Sequence, residues 1–383
     1  MTTTKRGMRA VRAAAKITMV AALAVLAATG VKAQDGISKT AITLGQSLAV
    51  TGPGTTLATP FGQGARLYFD RVNAGGGING RKIELTTLDD AGNPETTAAN
   101  TKKLLDQKVF ALFGYYGSPQ VTAANPLLKD TDVLLFAPMA GADELRGSLY
   151  PNVYSVRPGY SEEAAVITRH AETLGMRKLA ILHGKDLESL AALDSAERTM
   201  GGLGANLVAK SPLTGGSIAT SVDQVLAKKP ESVLVISDAS GAASAIRDLR
   251  TKGFRGPIYG FSTTGESLLA EQLGAAGAGV VVARVTPKSD NAKSVLVREL
   301  QADAAAAKLK SNVYMLEGYI AAWTFTEALR KAGKDPTRAK LRKALDTMQD
   351  LNLGGFRLHF DGDRVGSKLV ELSLIDATGR VRE

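Results

Sequence analysis

Cysteine is absent from all 383 residues of the chain. The chain can therefore form no disulfide, and zinc sites built on cysteine pairs are excluded. Histidine is scarce as well: the chain has three, His170, His183 and His359, and no two of them have the spacing of metal ligands. We therefore expect no metal site.

Long hydrophobic runs are lacking after the N-terminal segment. No stretch of the remaining chain reaches the roughly 18 apolar residues that a membrane helix needs. Residues 1–33 combine a Lys/Arg-rich start, the apolar run "ITMVAALAVLAATG" and a Val31-x-Ala33 ending. This pattern is typical of a secretory signal peptide cleaved after Ala33, with an uncleaved anchor helix as the alternative. Since no cysteine follows, we expect no lipid anchor and a mature protein free in the periplasm.

The positive charge of the chain is concentrated in that leader. Of 47 Lys and Arg residues, six lie in residues 1–33, which contain none of the 37 acidic residues. The mature chain would thus carry 41 basic and 37 acidic residues, a net charge of +4. No basic stripe with interleaved aromatic residues is present, so we expect no nucleic-acid partner.

Apolar strand-like runs alternate with helix-like runs along most of the mature chain. Continuous Val/Ile/Leu runs in such an alternation are typical of parallel sheets covered on both faces by helices. About five units precede residue 157 and about four lie between there and residue 285, which predicts an α/β protein of two similar lobes. The predicted strands are 41–49, 82–89, 109–116, 133–138, 152–158, 178–184, 205–213, 232–238, 257–262 and 279–285. The order then changes to two longer helices (292–307 and 312–333) and antiparallel strands within 356–379.

The stretch "NAGGGINGRKIEL" contains Gly75-x-Gly77-x-x-Gly80, the pattern of a dinucleotide-binding loop. Such a loop must follow a strand and open a helix. Here the helical pattern "FGQGARLYFDRVNA" comes first and the alternating pattern "RKIELTTLDD" follows. The glycines therefore predict a helix end and a return loop, and we expect no cofactor.

Small, hydroxylic and aromatic residues follow several predicted strands. In open α/β sheets ligands bind at these strand ends, beside helix N-termini. Tyr116 and Tyr160 are candidates for an aromatic wall, although Tyr116 could face the core and Tyr160 could be a packed hinge residue. Gly260-x-Ser262-x-x-Gly265 is one residue longer than a nucleophile elbow, so an exported hydrolase stays open as a minor alternative.

From about Ile42 to Val381 the chain resembles the periplasmic substrate-binding proteins of ABC importers, of the branched-chain amino-acid (Leu/Ile/Val-binding) type. The resemblance rests on the ordered segments "SLAVTGPG", "FGQGARLYFDRVNAGGGINGRKIEL", "LDDAGNPETT", "LFGYYGSPQ", "APMAGADELR", "YSVRPGYSEE" and "MLEGYIAAWTFTEALRKAG". It implies a type I periplasmic binding fold: two lobes, each an open, mostly parallel sheet with helices on both faces, joined by three crossovers.

The resemblance also implies domain boundaries. Crossovers would fall near Arg157, Val285 and Leu351. Lobe 1 would comprise residues 37–157 and 286–350, and lobe 2 residues 158–285 and 351–383.

Solute-binding residues carried over from the family are Gly117 and Ser118 for a carboxylate, with Ala140 and Gly141 at the positions of a backbone carbonyl and a Thr hydroxyl. That Thr is absent here. Ser262 falls where the family places the carboxylate that pairs with the ligand ammonium, so this acid is absent too. Asp238, at another strand end, could supply the charge, whereas Glu266 is a weaker substitute.

These features predict an extracytoplasmic binding protein, not an enzyme. It would capture a small carboxylate-bearing solute, an amino acid of branched-chain type or a related organic acid, for import through an inner-membrane ABC permease. We expect a monomer. A periplasmic ligand-sensing module for a receptor is the main alternative.

Overall fold

Parallel β-strands alternate with helices along most of the chain. The computed structural model describes residues 35–213, 218–360 and 364–383, and the predicted signal peptide lies outside these ranges. The strands are β1 Ala41–Leu48, β2 Lys82–Asp89, β3 Ala111–Phe113, β4 Leu135–Phe136, β5 Val153–Tyr154, β6 Lys178–His183, β7 Asn206–Pro212, β8 Ser232–Ile236, β9 Ile258–Gly260, β10 Val280–Arg284, β11 Leu351–Leu353, β12 Phe356–Leu358, β13 Glu371–Ile375 and β14 Val381–Arg382. The α-helices are α1 Thr55–Ala74, α2 Pro94–Asp106, α3 Ser118–Leu128, α4 Tyr160–Thr173, α5 Leu187–Gly202, α6 Ile218–Leu226, α7 Ala239–Thr251, α8 Glu266–Leu273, α9 Val295–Ala306, α10 Val313–Ala332 and α11 Arg338–Asp346.

The first sheet has five parallel strands in the order β2-β1-β3-β4-β5. Its central strands are buried throughout, as expected when helices cover both faces. We call this sheet and the helices packed on it lobe 1. The core on one face is aromatic, with the ring of Phe325 packed against those of Phe113 and Phe136.

The second sheet has seven strands in the order β14-β13-β10-β9-β8-β6-β7. Strands β6 to β10 are parallel, whereas β13 pairs antiparallel with β10 and β14 antiparallel with β13. We call this sheet and its helices lobe 2. The predicted α/β class with mostly parallel sheets is confirmed.

The glycine-rich loop lies between α1 and β2, as predicted. Helix α1 ends at Ala74 and β2 begins at Lys82. Gly77 has a φ angle of 74°, and a Cβ there would lie 2.1 Å from the carbonyl oxygen of Arg81. The loop therefore needs glycine for its own turn, and no helix N-terminus follows it to face a phosphate.

The three helices after β10 return to the first core. Residues of α9, α10 and α11, among them Leu300, Tyr319 and Leu341, pack in the core of lobe 1. Helices α1 and α10 cross so closely that a Cβ on Gly64 or on Gly318 would lie 1.9 Å from a carbonyl oxygen of the facing helix.

The hairpin β11–β12 also belongs to lobe 1, which differs from the boundary expected at residue 351. Leu353, Phe356 and Phe360 are buried in the first core. The ring of Phe360 lies 6.3 Å from those of Phe136 and Tyr154, so aromatic packing holds the hairpin there. Strand β13 is the first element after this hairpin to join the second sheet.

In the ranges that the structure describes, none of the helices combines the length and apolar character required to cross a bilayer.

Candidate functional site

A cavity of about 470 Å³ lies between the two lobes, at the carboxyl ends of the parallel strands. Its volume is in the range of small-molecule sites. Lobe 1 contributes Pro53, Gly54, Thr56, Leu57, Gly92, Tyr116 and Gln120 to its wall. Residues from Tyr160 onward contribute Tyr160, Asp186, Leu187, Glu188, Ser189, Ala192, Ile236, Ser237, Asp238 and Thr263. A solute held here would contact both lobes at once.

Several helices begin around this cleft, among them α1, α3, α5 and α7. Helices α1 and α3 start after Gly54 and Gly117, whose φ angles of 85° and 97° favour glycine. The glycine at each N-cap position has no side chain to cap its helix, so backbone N–H groups and the positive end of each helix dipole face the cleft region. Helices α5 and α7 are instead capped by Asp186 and Asp238, whose carboxylates each accept a backbone N–H at 2.9 Å.

Ser118, Gly141 and Tyr160 converge on a single point beside the cavity. We call these three residues the anion cradle. The Ser118 backbone N–H and the Tyr160 hydroxyl each donate a hydrogen bond of 2.5 Å to one carboxylate, the Ser118 hydroxyl donates one of 3.0 Å, and the Gly141 N–H donates one of 3.5 Å. That carboxylate belongs to Glu188 of lobe 2.

Glu188 was not among the predicted site residues. It lies in the strand-end loop "HGKDLES", but a Glu in the first turn of a helix is ordinarily explained by the helix dipole. Its partners Ser118, Gly141 and Tyr160 stand 70, 47 and 28 positions earlier in the chain. Its position after β6, at a predicted ligand-binding edge, was the only signal available.

Packing fixes the position of the Tyr160 hydroxyl. The ring stacks on Phe261 with 5.5 Å between centroids and an interplanar angle of 7°, and the Arg157 guanidinium lies 5.8 Å from its centroid. Burial, together with the negative charge of Glu188, raises the pKa of Tyr160 well above its usual value. The hydroxyl therefore stays protonated and acts as a donor to Glu188.

Tyr116 and Asp238 line the cavity from opposite lobes. The Tyr116 ring lies against Gly54, where a Cβ would be 2.4 Å from Cε1 of the ring. Burial first, and nearby carboxylates second, raise the pKa of Tyr116, so its hydroxyl also stays protonated. Asp238 uses one oxygen for the helix cap, which leaves the other able to meet a solute.

Five of the predicted residues lie outside the cavity wall: Gly117, Ser118, Ala140, Gly141 and Ser262. Ser118 and Gly141 belong to the anion cradle, directly behind Glu188. The Ala140 carbonyl, expected to accept from a solute, accepts from Arg146 at 3.1 Å. Glu266 is buried elsewhere at the start of α8 and does not reach the cavity.

Ser262 is held by a buried ionic cluster at the first crossover. Its backbone N–H and hydroxyl donate to Glu163 at 2.7 and 2.8 Å, and Arg157 donates to its oxygen at 2.6 Å. The Arg157 guanidinium also pairs with Glu163 at 2.9 Å and with Glu317 of α10 at 3.3 Å. This cluster ties the crossover to both lobes. None of the hydrogen bonds that the structure gives Ser262 involves a histidine, the partner that a nucleophilic serine would need.

The cavity wall is acidic. Asp186, Glu188 and Asp238 contribute carboxylates, and no described residue of the wall is a lysine or arginine. Across the described ranges, no three His, Asp or Glu side chains form a group that could hold a metal ion.

Residues 41–367 match the periplasmic binding protein family, and the chain belongs to this family. It is 24% identical over 313 residues to the leucine-specific-binding protein of Salmonella typhimurium, covering 80% of this chain and 82% of that protein. The extracellular ligand-binding receptor from Verminephrobacter eiseniae has a similar structure, with a TM-score of 0.81, 28% identity, and coverage of 90% of this chain and 100% of that one. The fatty acid ABC transporter substrate-binding protein from Thermomonospora curvata shares the fold, with a TM-score of 0.81, 23% identity, and coverage of 92% and 93%. The resemblance found in the sequence is thereby confirmed, and the chain is a solute-binding protein by family.

Proposed function

We propose that this protein captures a small solute outside the cytoplasm and delivers it to an ABC permease of the inner membrane. One observation carries the proposal: a cavity of small-molecule size is walled by residues of both lobes, at the strand ends where α/β sheets bind ligands. A solute that touches both lobes stabilises one arrangement of the lobes around it, and a permease can recognise that solute-bound arrangement.

An amino acid of branched-chain type, or a related organic acid, is the solute class that the cavity and the relatives favour. Leu57, Leu187 and Ile236 supply apolar surface for an aliphatic group. Asp238 offers a carboxylate oxygen to an ammonium group. The name of the Salmonella relative, a leucine-specific-binding protein, supports the same class.

Thermal-shift and calorimetric titrations test this function. The panel would contain L-leucine, L-isoleucine, L-valine, and the corresponding amides, amines and carboxylic acids. A solute at about 100 times its Kd should stabilise the folded state by about 2.7 kcal/mol. Binding should show a stoichiometry of one solute per chain.

A cavity-filling variant supplies the control. Thr56→Trp places an indole at the exposed cavity wall and should abolish binding without unfolding the protein. Thr173→Trp, at an exposed site on the last turn of α4, should bind as the wild type does. Equal binding by both variants would show that the solute lies elsewhere, and the proposed site would be wrong.

A cellular assay tests the import role. A strain that lacks the protein should lose high-affinity uptake of the solute identified in vitro. If uptake is unchanged and a solute-dependent response is lost instead, the sensing role replaces import.

A further inference from the structure

The carboxylate of Glu188 occupies the place where a solute carboxylate was expected. All four donors of the anion cradle, two backbone N–H groups and two hydroxyls, point at its two oxygens. Glu188 is the second residue of α5 in lobe 2, whereas Ser118 begins α3 in lobe 1. The contact therefore joins the two lobes across the cleft.

The cradle is organised for a carboxylate independently of Glu188. The Ala142 N–H donates to the Ser118 hydroxyl oxygen at 3.1 Å, which turns the hydroxyl hydrogen toward the bound oxygens. At Gly141 a Cβ would lie 2.4 Å from the Tyr160 ring, so only glycine lets this N–H and the Tyr160 hydroxyl approach the same anion. Charge-assisted hydrogen bonds of this kind are about twice as strong as neutral ones.

We propose that Glu188 is an internal ligand of the cleft: it fills the carboxylate subsite, holds the lobes together without solute, and must be displaced by any solute carboxylate. The proposal rests on the proposed function, because it concerns the selectivity of the same cavity. Glu188 is thus a specificity-determining residue. A solute carboxylate must first displace Glu188, which lowers its apparent affinity, whereas an amide or an amine bound in the rest of the cavity meets no such competitor.

The intramolecular position of Glu188 makes it a strong competitor. A tethered group acts at a high effective concentration and can exceed a free partner by about 10²- to 10⁴-fold in apparent affinity. A solute carboxylate also brings a second negative charge close to Asp186 and Asp238 while Glu188 remains nearby. Removing the Glu188 carboxylate should relieve both the competition for the cradle and the repulsion between the carboxylates.

The first test needs no knowledge of the natural solute. Small-angle scattering should give solute-free wild type the radius of gyration of a closed protein, about 20 Å for a compact chain of about 350 residues. Glu188→Ala should increase this radius, and sodium acetate should restore the wild-type value by filling the empty cradle. Sodium chloride at equal ionic strength should not restore it.

Glu95→Ala is the matched control, since Glu95 is an exposed Glu in the first turn of α2. It should leave the radius unchanged. An unchanged radius in Glu188→Ala, or an increase that acetate does not reverse, would overturn the proposal whatever solute the protein carries.

The second test measures selectivity by calorimetry with L-leucine and L-leucinamide. The ratio of the affinity for L-leucine to the affinity for L-leucinamide should be about tenfold to hundredfold higher in Glu188→Ala than in wild type. An unchanged preference in the variant would refute the role of Glu188. If neither compound binds either protein, the solute class under the proposed function is wrong, and the scattering experiment with acetate alone tests the proposed role of Glu188.

Discussion

Arg157 at the first crossover offers the sharpest test of how this fold is held together. The change is Arg157→Gln, which keeps a polar side chain but removes the charge. The Arg157 side chain is 3% exposed, and its partners Glu163 and Glu317 are 0% and 9% exposed. Without the guanidinium, two buried carboxylates lose the cation that compensates them.

The structure sets the expected size of the effect. Burial alone would lower the pKa of Arg157, but the carboxylates of Glu317 and Glu163 outweigh it and raise the pKa, so the guanidinium is firmly charged. Breaking a buried ion pair by removing one partner costs about 3–5 kcal/mol. With an unfolding entropy of about 2.1 cal/mol/K per residue over about 350 residues, the melting temperature should fall by about 4–7 °C.

The pH dependence adds a second signature. Burial already raises the pKa of Glu163 and of Glu317 above the ordinary carboxyl value, and loss of Arg157 raises both further. A carboxyl whose folded-state pKa is raised contributes stability below its unfolded-state pKa and loses it as the pH rises through the folded-state pKa. The deficit of the variant should therefore grow as the pH rises from about 5 toward neutral and mildly alkaline values.

Differential scanning calorimetry across this pH range measures both effects. Arg198→Gln is the matched control, because Arg198 forms an exposed ion pair with Asp194 that should be worth less than about 1 kcal/mol. If Arg157→Gln is no less stable than Arg198→Gln at pH 8, the buried cluster does not carry the structural role assigned to it.

Three further outcomes are expected. Gly64→Ala should destabilise lobe 1 by about 1–3 kcal/mol in thermal unfolding, because its Cβ would lie 1.9 Å from the Met315 carbonyl oxygen, whereas Gly202→Ala, with no atom near its Cβ, should not. Asp238→Asn keeps a cap oxygen and should preserve stability. In calorimetry it should weaken the binding of a solute with an ammonium group by about 2–5 kcal/mol and leave the binding of a solute without that group unchanged. N-terminal sequencing of the protein recovered from a periplasmic fraction should begin at Gln34, and an intact leader would contradict the predicted cleavage.

Part of the candidate site follows from a single sequence rule. Tyr116 and Asp238 stand at the ends of predicted strands, and both line the cavity. The family pattern predicts Ser262 as a solute-binding residue, yet it binds Glu163 and Arg157. Strand ends are visible in a sequence, but the direction of a side chain at a strand end depends on partners that lie far away in the chain.

The sequence by itself determined the fold class of the protein, because the continuous apolar runs of the strands and the glycine-capped helix ends are local features. Local hydrogen bonding and side-chain periodicity determine where strands and helices form. The α/β alternation, the glycine loop that binds no nucleotide and the edge of the sheets that forms the cleft could therefore all be predicted.

Only the tertiary structure decided which lobe the hairpin β11–β12 joins and which side chain fills the cleft. The hairpin joins lobe 1 because the ring of Phe360 reaches those of Phe136 and Tyr154, which are distant in the chain. Likewise, Glu188 enters the anion cradle only because the two lobes bring α5 opposite α3. Contacts between residues 70 positions apart depend on how the lobes are placed, and no local pattern encodes that placement.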